Sequence, residues 1–128
     1  MLGTIVSSRK VLRKEAIIKV IDSLGIDFRA LDQREQKVLI NKIHEVVSAM
    51  NNDDCLGTLI KAVNHIYEFC GMPKIIALNM IFDATKLCSD SYPPVKNLVK
   101  EISRRYKVTD RVCIEALSHA LSSLGIFC

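Results

Sequence analysis

Six cations stand within sixteen residues of this 128-residue chain: Lys96, Lys100, Arg104, Arg105, Lys107 and Arg111. Only Glu101 and Asp110 oppose them, so the window has a net charge of +4, equal to the formal charge of the whole chain. Ammonium and guanidinium groups at this density suit a polyanion, because each cation that meets a phosphate releases condensed counterions. The other reactive side chains are dispersed. Cys55, Cys70, Cys88, Cys113 and Cys128 are widely spaced and contain no Cys-x-x-Cys pair. A zinc site or disulfide framework would show close pairs, so reduced thiols are expected, most of them buried as small hydrophobes. His44, His65 and His119 show no i, i+4 spacing, and each is expected to be structural. His65 and Cys70 supply a base and a thiol, but no orienting third group or oxyanion donor accompanies them. No Gly-rich phosphate loop occurs, and "NNDD" before Cys55 is a helix start rather than a patterned calcium loop. No catalytic residue, metal site, cofactor or enzymatic activity is therefore expected.

Composition narrows the remaining classes. Apolar residues make up 49% of the chain, mostly Leu, Ile, Val and Ala, enough to bury the core of one domain over residues 1–128. Aromatic residues are only 5%, with no Trp, which argues against a nucleic-acid surface built on base stacking. No apolar run reaches the roughly 18 residues of a membrane span, so no membrane partner is expected. In "MLGTIVSSRKVLRKE" the charges follow the short apolar stretch, the reverse of a secretory signal, and a cytoplasmic location is expected.

The elements that must position the basic window are helical throughout. Apolar residues recur every three to four positions and no segment alternates like a strand, which predicts an all-α bundle of about six helices. The first runs from about Ser8 to Leu24 with Ile17, Val20, Ile21 and Leu24 on one face, and stops at Gly25 in the left-handed conformation. The second starts at Asp32 with Glu35 as its capping-box partner and buries Leu39, Ile43, Val46 and Met50. The third follows Asp53 and Asp54, presents Leu56, Leu59, Ile60, Val63, Tyr67 and Cys70 to the core, and stops at Gly71. The fourth opens at Pro73 and is apolar almost all round, with Asn79 and Asp83 as its polar exceptions; such a helix belongs at the centre. The fifth starts at Pro93 or Pro94 and buries Val95, Leu98, Val99, Ile102 and Tyr106. The sixth is capped by Thr109 or Asp110, buries Cys113, Leu117, Ala120, Leu121 and Leu124, and shows an outward stripe of Arg111, Glu115, Ser118 and Ser122. "EAIIKVIDSLGI" at Glu15 and "EALSHALSSLGI" at Glu115 echo one another because both read as amphipathic helices ending in the same Leu-Gly-apolar cap.

The fifth helix, the turn Lys107-Val108-Thr109 and the sixth helix have the spacing of a helix–turn–helix, in which the second helix enters the major groove and the first crosses the backbone. On that reading Lys96, Lys100, Arg104, Arg105 and Lys107 contact phosphates, while Thr109, Arg111, Glu115 and Ser118 face the bases of double-stranded DNA. The same pattern also fits an ordinary helical hairpin with a solvated basic face.

From about Leu59 to Gly125 the chain resembles the C-terminal DNA-binding domain of the stage-zero sporulation response regulator of spore-forming bacteria. "IYEFCGMPKIIALNMIFDATK" carries the first part of the likeness, including Gly71 and Pro73. "RRYKVTDRVCIEALSHAL" carries the second, aligning at Arg104, Arg105, Tyr106, Thr109, Ala116, His119 and Ala120. The resemblance implies an all-helical DNA-binding domain in a transcriptional regulator. The sequence departs from that family where its reader helix carries arginines, placing Val112, Glu115 and Ser118 there; a one-residue shift recovers Arg111 but loses the match at His119. Residues 1–55 match nothing in a phosphoacceptor receiver and are expected to form N-terminal helices that support a homodimer, with 56–128 as the helix–turn–helix core. The rival expectation is a non-enzymatic helical interaction module whose partner presents an acidic or apolar surface.

Overall fold

A computed structural model describes residues 13–50, 54–91 and 94–125, without the side chains of 89–91. They form six α-helices: α1 (Lys14–Ser23), α2 (Gln33–Ala49), α3 (Cys55–Cys70), α4 (Lys74–Ser91), α5 (Val95–Arg105) and α6 (Arg111–Ser123). A 3₁₀ turn at Phe28–Ala30 joins α1 to α2, and there is no strand among the described residues. The all-α class follows the helical periodicity of the sequence. The stretch 8–12, expected to begin the first helix, lies outside the described residues.

Local signals set most of the helix ends. Asp32 Oδ1 accepts from the Glu35 backbone N–H at 2.8 Å and Glu35 Oε1 accepts from the Asp32 N–H at 3.2 Å, completing the expected capping box of α2. Asp54 caps α3 by accepting from the Gly57 N–H. Gly25 takes φ 77°, which lets the Ile26 N–H reach back to the Ile21 carbonyl at 3.2 Å and close α1. Pro94 precedes the first residue of α5, where its missing N–H costs nothing.

Packing centres on α3 and α4. Ala77, Leu78, Met80, Ile81, Ala84, Thr85 and Cys88 of α4 are all buried, against α2, α3 and α5. The two polar exceptions of this helix reach other helices. Lys42 of α2 donates to Asn79 Oδ1 at 2.8 Å, and the Tyr106 hydroxyl at the end of α5 donates to Asp83 Oδ2 at 2.7 Å. Thr85 satisfies its own hydroxyl by donating to the Ile81 carbonyl. Helix α3 touches α1, α2, α4 and α6, and its packing against α6 is the most extensive among the described helices.

Two expectations are corrected at the α3–α6 seam. The buried stripe of α3 is Leu59, Ala62, Val63 and Ile66, whereas Tyr67 is 47% exposed with the Lys74 ammonium 5.0 Å from its ring centroid. A half-apolar ring needs no burial when a cation can stack on it, so periodicity alone placed Tyr67 on the wrong side. The cysteines are likewise not all thiols: Cys70, the last residue of α3, is joined by a disulfide to Cys113 in the first turn of α6. Their Cα atoms are 4.8 Å apart across a sequence separation of 43, a proximity that only the packing of α3 on α6 creates. Cys55 is half-buried, Cys88 is buried, and Cys128 lies outside the described residues.

The connection between α5 and α6, residues 106–110, closes without a glycine. Lys107 takes φ 56°, the left-handed region, while the Val108 N–H donates to the Ser103 carbonyl at 2.8 Å and the Lys107 N–H to the Arg104 carbonyl at 3.3 Å. This is the Schellman pattern, with a lysine where glycine is usual and with Val108 buried beneath it. A non-glycine residue there costs about 1 kcal/mol or more. Lys107→Gly is therefore expected to raise stability by roughly 0.5–1 kcal/mol in thermal or urea denaturation; Lys107→Ala, with the same loss of charge, is expected to give no gain. A gain with alanine would show that the charge, not the backbone, sets the effect.

Tyr106 generates a second prediction. Burial, and then its hydrogen bond to the Asp83 carboxylate, push its hydroxyl well above the ordinary phenol range. Because the folded-state pKa is raised, the stabilisation is complete below about pH 10 and is lost as pH rises beyond it. Tyr106→Phe should cost about 1–2 kcal/mol at pH 7 by leaving the half-buried Asp83 without that donor. The difference between wild type and variant should shrink above pH 10, and a difference that stays constant to pH 11 would contradict this assignment.

Candidate nucleic-acid interface

The basic window is distributed over one amphipathic helix, the turn after it and the first residue of α6, Arg111. Leu98, Val99, Ile102 and Ser103 point α5 into the core, which leaves Lys96, Lys100, Arg104 and Arg105 exposed; Lys107 is exposed in the turn. All five residues expected to meet phosphate therefore lie at the surface. Arg104 and Arg105 occupy the last turn of α5, where cations also complement the carbonyl end of the helix dipole.

Two of these cations are engaged within the chain. Glu101 Oε2 accepts from Arg104 Nη2 at 2.6 Å and from Arg105 Nε at 3.0 Å, and Arg104 Nε reaches Glu101 Oε1 at 3.3 Å. The hydrogen bond from Arg104, then that from Arg105, holds the Glu101 carboxyl below the usual carboxylate range. The pairs are i, i+3 and i, i+4 on a helix, so Glu101, read from sequence only as an opposing charge, carried a legible signal as their common acceptor. The arrangement orients two guanidiniums and offsets one of their charges.

Helix α6 presents the expected outward stripe. Asp110 is the residue that caps it, its carboxylate accepting from the Val112 N–H at 2.8 Å, and Thr109 stands exposed just before it. Cys113, Ala116, Leu117, Ala120, Leu121 and Leu124 face inward. Arg111 and Glu115 are largely in solvent and approach one another at 4.0 Å, and Ser118 is half-buried. Of the four residues expected to face bases, Arg111 alone has the guanidinium fork suited to guanine, and Glu115 can accept from cytosine. An exposed pair at that separation contributes little and leaves Arg111 free to exchange partners.

Beside this stripe the structure assembles a group that sequence spacing did not bring together. His65 of α3 and His119 of α6 stand with ring centroids 4.7 Å apart, and Phe69 lies tilted against His65 at the same separation. Phe69 is 48% and Val112 is 53% exposed, so the end of α3 and the start of α6 carry apolar surface next to the disulfide. No three His, Cys, Asp or Glu side chains among the described residues are grouped to hold a metal ion, and none of the described helices is long and apolar enough to cross a membrane. No protein-family model, characterised protein or solved structure matches the chain.

Proposed function

We propose that the chain is a small DNA-binding protein, a transcriptional regulator that uses α5, the Lys107 turn and α6 as a basic helix–turn–helix. The observation that carries this reading is the joint exposure of Lys96, Lys100, Arg104, Arg105 and Lys107 with Thr109, Arg111 and Glu115 at the start of α6, which no other described helix covers. The cations supply affinity through counterion release, while Thr109, Arg111, Glu115 and Ser118 meet base edges. The resemblance of residues 59–125 to the sporulation regulator's DNA-binding domain supports the same assignment. A homodimer formed through residues 1–55 would present two copies of α6 to two half-sites and offset the single guanidinium on each. The compartment proposed is the cytoplasm. A second reading, a helical interaction module, is favoured by the half-exposed Phe69, Tyr67 and Val112.

Fluorescence anisotropy with random and selected duplexes across a salt series tests the proposal. With Lys96, Lys100, Arg104, Arg105 and Lys107 on phosphate, log affinity should fall against log salt with a slope of about −4.5. Glu101→Gln should release both guanidiniums, tighten binding to every sequence several-fold at low salt and steepen the slope. Replacing Arg104 and Arg105 with Ala should weaken all sequences alike, whereas Arg111→Ala should relax discrimination among them. No binding at low salt would remove the DNA reading and leave the interaction module.

A further inference from the structure

The disulfide at the α3–α6 seam is unequal in its two halves. Cys113 is 3% exposed, walled in by the packing of α6, whereas Cys70 is half-buried at the C-terminal end of α3, followed directly by the exposed Gly71. Cys113 is the third residue of α6, at the end capped by the Asp110 carboxylate. A small thiolate can approach Cys70 Sγ and is shut out from Cys113 Sγ, so the buried sulfur is the one that leaves.

We infer that Cys70 and Cys113 form a reversible dithiol–disulfide site that exchanges with small thiols and their disulfides, with Cys70 as the sulfur attacked and Cys113 as the leaving sulfur. In the reducing direction a small thiolate bonds to Cys70 Sγ and the Cys70–Cys113 bond breaks. Its electron pair leaves on Cys113 Sγ, which takes a proton. A second small thiolate then attacks the outer sulfur of the mixed disulfide, releasing the small disulfide and the Cys70 thiolate. Two small thiols are oxidised to one disulfide and the protein gains two electrons; the oxidising direction is the reverse.

The fold keeps the pair ready to reclose. Cys70 Sγ is 3.6 Å from the Cys113 backbone carbonyl, a position from which the reduced thiol donates to it, and the Cα separation of 4.8 Å lies within the disulfide range. Closure links the end of α3 to the first turn of α6 around α4, α5 and the Lys107 turn. In a cytoplasm such bonds are transient and regulatory rather than permanent. The inference stands whether or not the basic face meets DNA.

Full-length protein is incubated with glutathione disulfide or dithiothreitol and digested without reduction. The expected result is one cross-linked mass containing Cys70 and Cys113 after oxidation, replaced by two separate peptides after dithiothreitol. The melting temperature should fall by roughly 10 °C on reduction of the wild type, a measurement that needs no variant. Cys113→Ser should capture glutathione on Cys70 at least tenfold faster than Cys70→Ser captures it on Cys113, with circular dichroism confirming that both variants stay helical. Absence of the cross-linked peptide from natively oxidised protein, or an unchanged melting temperature on reduction, would overturn the site. Equal or faster capture at Cys113 would overturn the direction of attack.

Discussion

A helix that is apolar on nearly every side has to be covered on nearly every side, and α4 imposes that requirement on the rest of the chain. Helices α2, α3 and α5 surround it, and two of its half-buried polar side chains, Asn79 and Asp83, bond to two of them. Asn79 takes a hydrogen bond from Lys42 of α2, and Asp83 takes one from Tyr106 at the end of α5. An unpaired amide or carboxylate in that position would be costly, so each acts as a register mark as well as a satisfied group. Tyr106 stands immediately before Lys107, so the bond to Asp83 also fixes where α5 ends and the chain turns toward α6.

The surface proposed to meet DNA inherits its shape from these internal contacts. Burying Leu98, Val99, Ile102 and Ser103 against α4 and α6 forces the lysines and arginines of α5 outward. Burying the opposite face of α6 against α3 forces Arg111, Glu115 and Ser118 toward solvent. Acidic groups temper both helices: Glu101 holds two of the arginines, while Asp110 and Glu115 stand at the start of α6 and beside Arg111. On the proposed reading, a polyanion would meet cations that are oriented, and partly occupied, before it arrives. Such a surface suits phosphate contact better than base reading, because only one fork-shaped cation lies on α6, the helix proposed to face bases.

The legible parts of the fold are those encoded within a few residues of one another. The capping box at Asp32 and Glu35, the glycine stop at Gly25, the apolar stripes of α1 and α2, and the buried and exposed sides of α6 all follow from local spacing. The turn at Lys107 is a counter-example from the same scale of structure. It uses the same left-handed geometry as Gly25, but a lysine gives no compositional hint of it. Tyr67 fails for another reason: its position fits the apolar period of α3, and only Lys74, arriving from the start of α4, makes exposure of the ring comfortable.

Sequence by itself determined the class of the molecule and the composition of its surface: an all-helical chain, a central apolar helix, and a basic window whose charges fall outside the apolar stripe of α5. Helical periodicity and capping act over three or four residues, so they are written into the order of the side chains. Only the tertiary structure decided which distant residues meet. It joined Cys70 to Cys113, set His65 against His119, and gave Asn79 and Asp83 their partners on α2 and at the end of α5. Those pairings depend on how whole helices cross and slide against one another. Many weak apolar contacts settle that together, and no short sequence pattern records it.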